Sequence, residues 1–286
     1  MSYTLSEIRT EDRRSMDQAR ALLQQEGIAL DANLDYTCGL FDEDCHLAAT
    51  GSSFGSTLRC FAVDRSHQGE GLLNQIVTHL IERLTGQGRT HLFVYTKVGT
   101  AKFFQDLGFY EIARVEDTLS FLENRKNGFA RFCARLAQRR TEEPAAAIGM
   151  NANPFTLGHL ALVERAAGEF PAVHLFVLEE DASLVPFAVR WNLVTEGVAH
   201  LSNVVCHKSG PYLISSATFP SYFLKDEAAV IQGHARLDLA LFGQIAKALN
   251  LTARYAGKEP SSQVTGLYNQ VMARELPKKG IRFIEV

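Results

Sequence analysis

Apolar and polar positions in the first 122 residues change period every few residues, which predicts a succession of short strands and helices. Residues 15–26 place apolar side chains at helical intervals. Residues 38–40 and 46–50 are expected to form a hairpin around an Asp-Glu-Asp turn. The remaining predicted elements are strands at 58–63, 91–96, 109–115 and 119–122, and helices at 72–81 and 101–107.

The second half, from residue 144, has a different pattern. Residues 145–150 and 172–178 are continuous apolar runs, as expected of strands that are buried on both faces of a parallel sheet. Strands and helices alternate from there on, which predicts a right-handedly wound parallel α/β domain. The other predicted elements are strands at 204–207, 227–232, 253–256 and 281–286, and helices at 159–170, 187–201, 237–249 and 263–276.

Residues 123–143 join the two halves and predict a basic amphipathic helix. Its apolar side chains, from Phe129 to Ala137, share one helical face. Two interpretations stay open: an interdomain helix with a solvated face, or a docking surface for an acidic partner or a phosphate tail. Its cations are Arg125, Lys126, Arg131, Arg135, Arg139 and Arg140. The predicted domains are therefore 1–122 and 144–286, with 123–143 as linker.

Composition narrows the class of protein. The 286 residues suffice for about two domains at roughly 100–200 residues each. Lys and Arg number 29 against 32 Asp and Glu, so the net charge of −3 argues against a dedicated nucleic-acid binder. The five cysteines are odd in number and form no CxxC pair, which favours free thiols in a reduced cytoplasmic protein. Without a signal peptide or a run of about 20 apolar residues, we expect no membrane segment.

The segment from Gly149 to His159 carries the strongest chemical signal. It lies between the first buried strand of the second half and a predicted helix, and ligands of open α/β sheets bind at that edge. The helix N-terminus would suit phosphate, with Gly158 allowing close backbone approach and Thr156 and His159 donating hydrogen bonds. The alternative is an ordinary β–α turn of Asn, Pro and Gly with an incidental histidine.

The run Asn-Pro-Phe-Thr-Leu-Gly-His resembles the T/H-x-G-H signature of nucleotidyltransferases, with Thr156 in first position. Over residues 144–286 the resemblance becomes specific to citrate lyase ligases. The segments that carry it are 151–159, Glu180-Asp181, Pro186-Phe187 with Arg190, 212–223, Leu237-Asp238, 257–260, Val264-Thr265 and Tyr268-Asn269.

The first half resembles an N-acetyltransferase (GNAT) domain through residues 61–71 and 100–109. The resemblance implies that Gly69 and Gly71 belong to a loop that holds the pyrophosphate of an acyl-CoA through backbone N–H groups. Ser66 stands where such domains usually have Arg or Gln, which counts against acetyl transfer but not against binding of a pantetheine or dephospho-CoA arm. The implied fold is a GNAT-like α+β domain followed by a Rossmann-like parallel α/β nucleotidyltransferase domain.

The resemblance also implies a function. A citrate lyase ligase acetylates the CoA-like prosthetic thiol on the acyl carrier subunit of citrate lyase, using acetate and ATP and releasing AMP and pyrophosphate. The implied intermediate is acetyl-adenylate, which makes the protein an AMP-forming acid–thiol ligase. The implied cofactors are ATP and its Mg²⁺, and the implied partners are the carrier subunit and acetate, with no nucleic acid and no membrane.

Site residues follow from the same resemblance. Thr156 and His159 are expected at the triphosphate, and Arg190 either at a phosphate or in a surface salt bridge. The remaining residues would contact the nucleotide or acyl group, or else cap and orient their loops; they are Asn151, Asn153, Phe155, Gly158, Ser215, Ser216, Thr218, Gly257 and Glu259. The histidines match no metal-ligand spacing, so we expect no protein-bound metal.

One family feature is missing from these 286 residues. A segment of the type Ile-Ser-x-Ser/Thr-x-Arg, whose Ser and Arg bind the triphosphate, is expected after the last strand, and residues 281–286 do not contain it. The sequence therefore predicts either a shortened chain or a divergent, weaker enzyme. Three alternatives stay open: a pantetheine-phosphate-type adenylyltransferase, a non-catalytic carrier-binding or regulatory homologue, and a GNAT acetyltransferase acting on an amine.

Overall fold

The computed structural model describes residues 2–179, 183–213, 219, 227–258 and 263–286, without the side chains of 227 and 228. The chain divides into two compact units. The first runs to Lys126, and the second begins at Asn127, the residue before the basic helix. Each unit is described separately below.

A seven-stranded mixed sheet, in the order β1-β2-β3-β4-β5-β7-β6, forms the first unit. All neighbouring strands are antiparallel except β4 and β5, which are parallel. This arrangement is the GNAT-like α+β architecture predicted from the sequence. The strands are β1 Thr4–Glu7, β2 Tyr36–Phe41, β3 Leu47–Phe54, β4 Thr57–Val63, β5 Phe93–Thr96, β6 Tyr110–Val115 and β7 Leu119–Glu123, and the helices are α1 Arg13–Gln25, α2 Leu72–Gly86 and α3 Ala101–Asp106.

Two helices cover this sheet through their apolar stripes. Asp12 caps α1 by accepting from the backbone N–H of Ser15, and the buried residues of α1 join one core cluster. The apolar side of α2 joins a second cluster with β2, β3 and β4. Helical spacing of apolar residues in the sequence predicted both helices because each buries only one stripe.

The parallel pair β4 and β5 stays together for only a short distance. The two strands pair at Thr57 with Phe93 and at Leu58 with Val94, although β4 continues to Val63 and β5 to Thr96. The strands therefore diverge toward their carboxyl ends. This divergence opens the wall of a cavity beside the start of α2.

The second unit is built on five parallel strands in the order β10-β9-β8-β11-β12. The chain moves outward from β8 to β9 and β10, then returns to β11 on the other side of β8. The topological switch point, where open α/β sheets bind ligands, therefore lies between β8 and β11. The strands are β8 Ala145–Met150, β9 Ala172–Val177, β10 Val204–Lys208, β11 Leu251–Ala256 and β12 Arg282–Glu285, and the helices are α4 Gly128–Ala137, α5 Leu157–Glu169, α6 Phe187–Gly197, α7 Glu227–Leu249 and α8 Gln263–Glu275.

Strands β8 and β9 form the core of this unit, and every residue of β9 is buried. Because both faces of the central strands are covered, their sequences show continuous apolar runs and no alternation. The predicted Rossmann-like parallel α/β domain is thereby confirmed.

The prediction of a strand at 227–232 is wrong. These residues form the first turns of α7, which continues without a break to Leu249. A short apolar run fits a buried helix as well as a strand, and Glu and Ala at its start favour the helix. Among the described side chains of α7, only a narrow polar stripe is exposed, at Gln232, Arg236, Gln244 and Lys247.

All five cysteines are free thiols. Among the helices within the described ranges, none combines the length and apolar character needed to cross a membrane.

Candidate functional site

The loop between β8 and α5 lies at the carboxyl edge of the parallel sheet, next to the switch point. Ala152, whose φ is +51°, is buried at the bend of this loop. Thr156 is the N-cap of α5 and forms a reciprocal capping box with His159. The Thr156 hydroxyl accepts from the backbone N–H of His159 at 3.4 Å, and the Thr156 N–H donates to Nδ1 of His159 at 3.1 Å. The two predicted triphosphate ligands therefore position each other.

This capping box fixes the tautomer of the His159 ring. A backbone N–H can only donate, so Nδ1 of His159 must be the acceptor. The Thr156 hydroxyl, 2.8 Å from the same nitrogen, then also donates to it. The ring proton accordingly lies on Nε2 of a neutral imidazole, which makes Nε2 a hydrogen-bond donor.

Phe155 supports the same ring. It is half-buried and stacks on His159 with a centroid distance of 5.8 Å and an interplanar angle of 19°. Phe155 also contacts α6, where a Cβ on Gly197 would lie 2.6 Å from the Phe155 ring. Phe155 thus packs between the first turn of α5 and the last turn of α6.

The first turn of α5 is open to ligands. Leu157 and Gly158 are exposed, and by their position in the helix their N–H groups have no intrahelical acceptor. Among the described residues, a Cβ on Gly158 would meet only the Thr156 hydroxyl, at 3.7 Å, so packing against them does not demand glycine there. Exposed N–H groups, the helix dipole and the Nε2–H donor suit an anionic group such as a triphosphate.

Asn151 and Asn153 hold the loop to the segment that follows β9. Nδ2 and Oδ1 of Asn151 lie 3.0 and 3.1 Å from the hydroxyl of Ser183. Oδ1 of Asn153 accepts from the backbone N–H of Val185 at 2.9 Å. These contacts correspond to the loop-orienting role, which was one of the two predicted for the asparagines.

Arg190 is completely buried although it carries a charge. Its Nη1 donates to the carbonyls of Asn151 at 2.6 Å and Leu178 at 2.8 Å, and its Nε donates to the carbonyl of Val185 at 2.9 Å. The side chain thus joins the ends of β8 and β9 to the start of α6. The surface salt bridge considered from the sequence does not fit this burial, and the hydrogen bond to the Asn151 carbonyl connects Arg190 to the loop that carries His159.

The carboxyl ends of β9 and β10 add polar groups that sequence reasoning missed. Glu179 accepts from the backbone N–H of Gly210 at 2.6 Å and donates its own N–H to the Ser209 hydroxyl at 3.0 Å. Lys208 is exposed, with Nζ 5.6 Å from the centroids of both Phe187 and Trp191 on α6. Sequence reasoning could have found Lys208 from its position, because a lysine at the carboxyl end of a strand of this sheet lies at the ligand-binding edge.

On the other side of the switch point, Gly257 follows β11. Its carbonyl accepts from Nδ2 of Asn269 at 3.2 Å, and the same nitrogen donates to Glu285 at 2.8 Å. Ser215, Ser216, Thr218 and Glu259 lie outside the described residues. Of the sequence-predicted residues, the structure thus brings together Asn151, Asn153, Phe155, Thr156, Gly158, His159 and Arg190 and places Gly257 after the neighbouring strand.

A buried charged network lies beneath this edge. Nη1 of Arg254 donates to Asp238 at 2.8 Å, and the Tyr268 hydroxyl donates to the same carboxylate oxygen. Burial raises the pKa of Tyr268 well above its usual value. Because Arg254, Asp238 and Tyr268 come from β11, α7 and α8, the network fixes both helices on the strand that precedes Gly257.

The first unit has its own candidate site, a cavity of about 610 Å³ between the diverging strands β4 and β5. Gly69, Gly71 and the first turn of α2 line one side, and residues of α3 line another. Gly71 is the N-cap of α2 with φ +76° and makes no side-chain cap, so the helix N-terminus faces the cavity uncapped. The two predicted glycines therefore belong to one anion-suited corner.

Hydrogen bonds hold two charged groups beside this corner, Glu70 and Lys97. Tyr3 donates to Glu70 at 2.6 Å, which raises the pKa of the Tyr3 hydroxyl to about 12 and lowers the pKa of Glu70. Nδ1 of His67 lies 2.7 Å from the same hydroxyl. Lys97 donates from Nζ to the carbonyls of Glu26 at 2.9 Å and Gly27 at 3.4 Å in the cavity wall. Across the described ranges, no group of three or more His, Cys, Asp or Glu side chains is arranged to hold a metal ion.

Comparisons with known proteins show the family to which the chain belongs. Residues 145–286 match the family model of the citrate lyase ligase C-terminal domain. The [citrate [pro-3S]-lyase] ligase of Klebsiella pneumoniae is 39% identical over 260 residues, which are 90% of this chain and 76% of that protein. The corresponding ligase of Escherichia coli K12 is 35% identical over 274 residues, 93% of this chain and 77% of that protein. The chain belongs to the citrate lyase ligase family.

This membership confirms the family and the class of enzyme, a ligase, that the sequence predicted. A GNAT-family acetyltransferase from Staphylococcus aureus Mu50 aligns with 43% of this chain and 98% of its own chain, at 12% identity and a TM-score of 0.37. The strand order and directions of the first unit, not this similarity, identify its fold.

Proposed function

We propose that the protein activates acetate with ATP and transfers the acetyl group to the prosthetic thiol on the acyl carrier subunit of citrate lyase. The names of its relatives and the anion-suited N-terminus of α5 support this function. The single observation that carries it is the pairing of Thr156 with His159 beside the switch point, which presents Nε2–H together with the exposed N–H groups of Leu157 and Gly158.

In the first step a carboxylate oxygen of acetate attacks the α-phosphorus of ATP. The bond from that phosphorus to the bridging oxygen breaks, giving acetyl-adenylate and pyrophosphate. Acetate is already a nucleophile, so the site must supply orientation and charge neutralisation rather than a strong base. His159 would donate from Nε2 to an oxygen of the departing pyrophosphate, and the N–H groups of the first turn would hold the neighbouring oxygens. Mg²⁺ bound to the nucleotide would supply further neutralisation.

In the second step the carrier thiol gives its proton to water and its sulfur attacks the acetyl carbon. The bond from that carbon to the AMP oxygen breaks, and acetyl-S-carrier and AMP leave. The cavity of the first unit offers a place for the CoA-like arm, because Phe61, Ala62 and Val63 of β4 line it together with the glycine loop. Arg190, Asn151 and Asn153 would act as positioning residues that hold the loop of His159 in place.

ATP–pyrophosphate exchange with the full chain, with and without acetate, tests this function. Acetate-dependent exchange, with no thiol present, is the expected result because the first step is reversible. Exchange that requires a pantetheine phosphate instead would identify the protein as an adenylyltransferase of that class. Absence of exchange under both conditions, with measurable binding of the carrier, would identify a non-catalytic carrier-binding homologue.

A further inference from the structure

Helix α3 of the first unit turns two consecutive phenylalanines in different directions. The Phe104 ring is buried and packs on the rings of Phe61 and Phe109, with centroid distances of 5.2 and 6.3 Å. Phe103, the residue before it, is 57% exposed and lines the cavity of about 610 Å³. Successive residues of a helix point about 100° apart. Phe104 therefore fixes α3 on the core of the unit, and Phe103 is presented to the cavity.

Packing within the protein does not explain the exposure of Phe103. Every other phenylalanine between residues 1 and 126 is buried or half-buried, and no aromatic ring in the described part of the chain stacks on Phe103. A single apolar side chain on an open surface needs no explanation. Phe103 differs because it belongs to the wall of a cavity, together with the half-buried Leu107 and Leu73. Such a wall suits a ligand that has an apolar face of its own.

The chemistry of a CoA-like arm gives this wall an occupant. The pyrophosphate of such an arm joins two dissimilar parts, a pantetheine chain and a nucleoside. With the pyrophosphate at the corner of Gly69 and Gly71, the pantetheine chain would follow the cavity wall that residues 61–63 of β4 line. The nucleoside must then leave the corner in another direction. The wall formed by α2 and α3 offers it the exposed ring of Phe103, and nucleobases stack on such rings.

We propose that Phe103 is the stacking platform for the nucleobase of the CoA-like arm. This inference rests on the part of the proposed function that places such an arm in the cavity of the first unit. The platform makes the cavity selective for an arm that carries a nucleotide, because a pantetheine phosphate without a base has nothing to stack on Phe103. The base also covers an aromatic face that the unliganded protein leaves in water.

The test titrates the full chain with two probes in a calorimeter. Dephospho-CoA carries an adenosine beyond its pyrophosphate, whereas 4′-phosphopantetheine ends at one phosphate. Both affinities are measured for the unmodified protein, for Phe103→Ala and for Phe103→Trp. The matched control is Tyr110→Ala, which removes another exposed aromatic ring of the same unit, 41% exposed and outside the cavity lining. Phe103→Trp also places a fluorescent ring at the platform, and its emission is compared with that of the unmodified protein, whose one tryptophan is Trp191.

Phe103→Ala should bind dephospho-CoA about tenfold or more weakly and 4′-phosphopantetheine within about twofold of the unmodified protein, because only the first probe has a base. Phe103→Trp should keep its affinity for dephospho-CoA, since the aromatic face is retained. Dephospho-CoA should quench the added emission, and 4′-phosphopantetheine should not. Thermal unfolding of Phe103→Ala should stay close to that of the unmodified protein, because the replaced ring is exposed.

Equal weakening of both probes in Phe103→Ala would place the ring beside the pantetheine chain and overturn the inference. Unchanged affinity for both probes, or an equal loss in Tyr110→Ala, would overturn it as well. If the unmodified protein binds neither probe, the inference fails, whereas acetate-dependent ATP–pyrophosphate exchange would still support acetate activation. Absence of that exchange, with base-dependent binding intact, would remove the proposed acetate activation and leave the stacking platform supported.

Discussion

The backbone N–H of Thr156 donates to Nδ1 of His159 at 3.1 Å, so the residue that caps α5 also orients the ring three positions later. Together with the Phe155 ring stacked on it, this bond holds Nε2–H in one tautomer and one direction. A donor that is oriented before the reaction costs no reorganisation when negative charge develops on a phosphate oxygen, which is the condition for electrostatic catalysis.

Replacing His159 by Gln should therefore lower the exchange rate by about 10²–10³-fold, because the ring donor to the departing pyrophosphate is lost. Thermal unfolding should change by only a few degrees, since the Thr156 hydroxyl still caps the helix through the backbone N–H of residue 159. His200→Gln is the control, because His200 is an exposed histidine of the same unit that pairs with Glu164 at 3.2 Å. A large loss of stability with little loss of exchange would make His159 a packing residue.

A methyl group at Gly158 should separate binding from folding. Among the described residues, the Cβ of Gly158→Ala makes only an ordinary contact with the Thr156 hydroxyl at 3.7 Å. Alanine is the better helix former by about 0.5–1 kcal/mol, so unfolding should occur at the same or a higher temperature. Exchange should fall about tenfold or more if the triphosphate approaches this backbone. In Gly197→Ala the new Cβ would lie 2.6 Å from the Phe155 ring. We expect this variant to unfold at a lower temperature and to lose less exchange activity than Gly158→Ala. Full exchange activity in Gly158→Ala would argue against close approach of the ligand.

The positioning role of Arg190 predicts a loss of stability. Arg190→Ala removes the donors to three backbone carbonyls in a fully buried place, which should lower the free energy of unfolding by about 3–5 kcal/mol in urea titrations. Arg165→Ala, which removes an exposed guanidinium, should cost no more than about 1 kcal/mol. Unchanged stability of Arg190→Ala with a raised KM for ATP would instead indicate direct contact with phosphate.

The sequence predicts features that depend on consecutive residues, and it does not predict contacts between residues that are far apart along the chain. The β8–loop–α5 unit could be predicted because an apolar run, turn residues and a helix start follow one another directly. The partners of Arg190 could not, since they are backbone carbonyls whose positions depend on how two strand ends and a loop converge. For the same reason the sequence could not predict the buried network of Asp238, Arg254 and Tyr268. Two of these residues, Asp238 and Tyr268, lie in segments that resemble the family. Residues 227–232 predict a strand wrongly because a short run of apolar and small residues does not distinguish a buried helix from a strand.

A single charge should test the anion-suited corner of the first unit. Asn74 lies in the first turn of α2 and lines the cavity, and Gln75 follows it outside the cavity lining. Asn74→Asp should stabilise the helix through its dipole, by about 0.3–1 kcal/mol, and yet weaken binding of dephospho-CoA to the full chain by repulsion of its phosphates. Gln75→Glu should stabilise the helix by a similar amount but weaken dephospho-CoA binding less than Asn74→Asp does. Calorimetric titration measures both affinities, and equal or tighter binding to Asn74→Asp would count against a phosphate at this corner.

A buried histidine pair should make the second unit sensitive to mild acid. Nδ1 of His174 lies 2.8 Å from Nε2 of His207 on the neighbouring strand. Burial lowers the pKa of both rings to about 4, and His174 and Arg139 add repulsion at His207. Near pH 6.5 these two histidines bind protons in the unfolded chain but stay neutral in the folded protein. Their contribution to the free energy of unfolding is therefore fully present above pH 6.5 and decreases as the pH drops toward 4.

Between pH 7 and pH 5, a range above that in which most carboxylates titrate, each ring should lower the free energy of unfolding by about 2 kcal/mol. Urea unfolding at a series of pH values measures this slope. His174→Leu/His207→Leu should flatten it, because neither chain state can then gain a proton at these positions, whereas His200→Gln, at an exposed position, should leave it unchanged. The readout is the slope and not the stability at one pH, so a repacking cost of the leucines does not affect the comparison. A double variant that loses stability between pH 7 and pH 5 as steeply as the unmodified protein would assign the acid sensitivity to other groups.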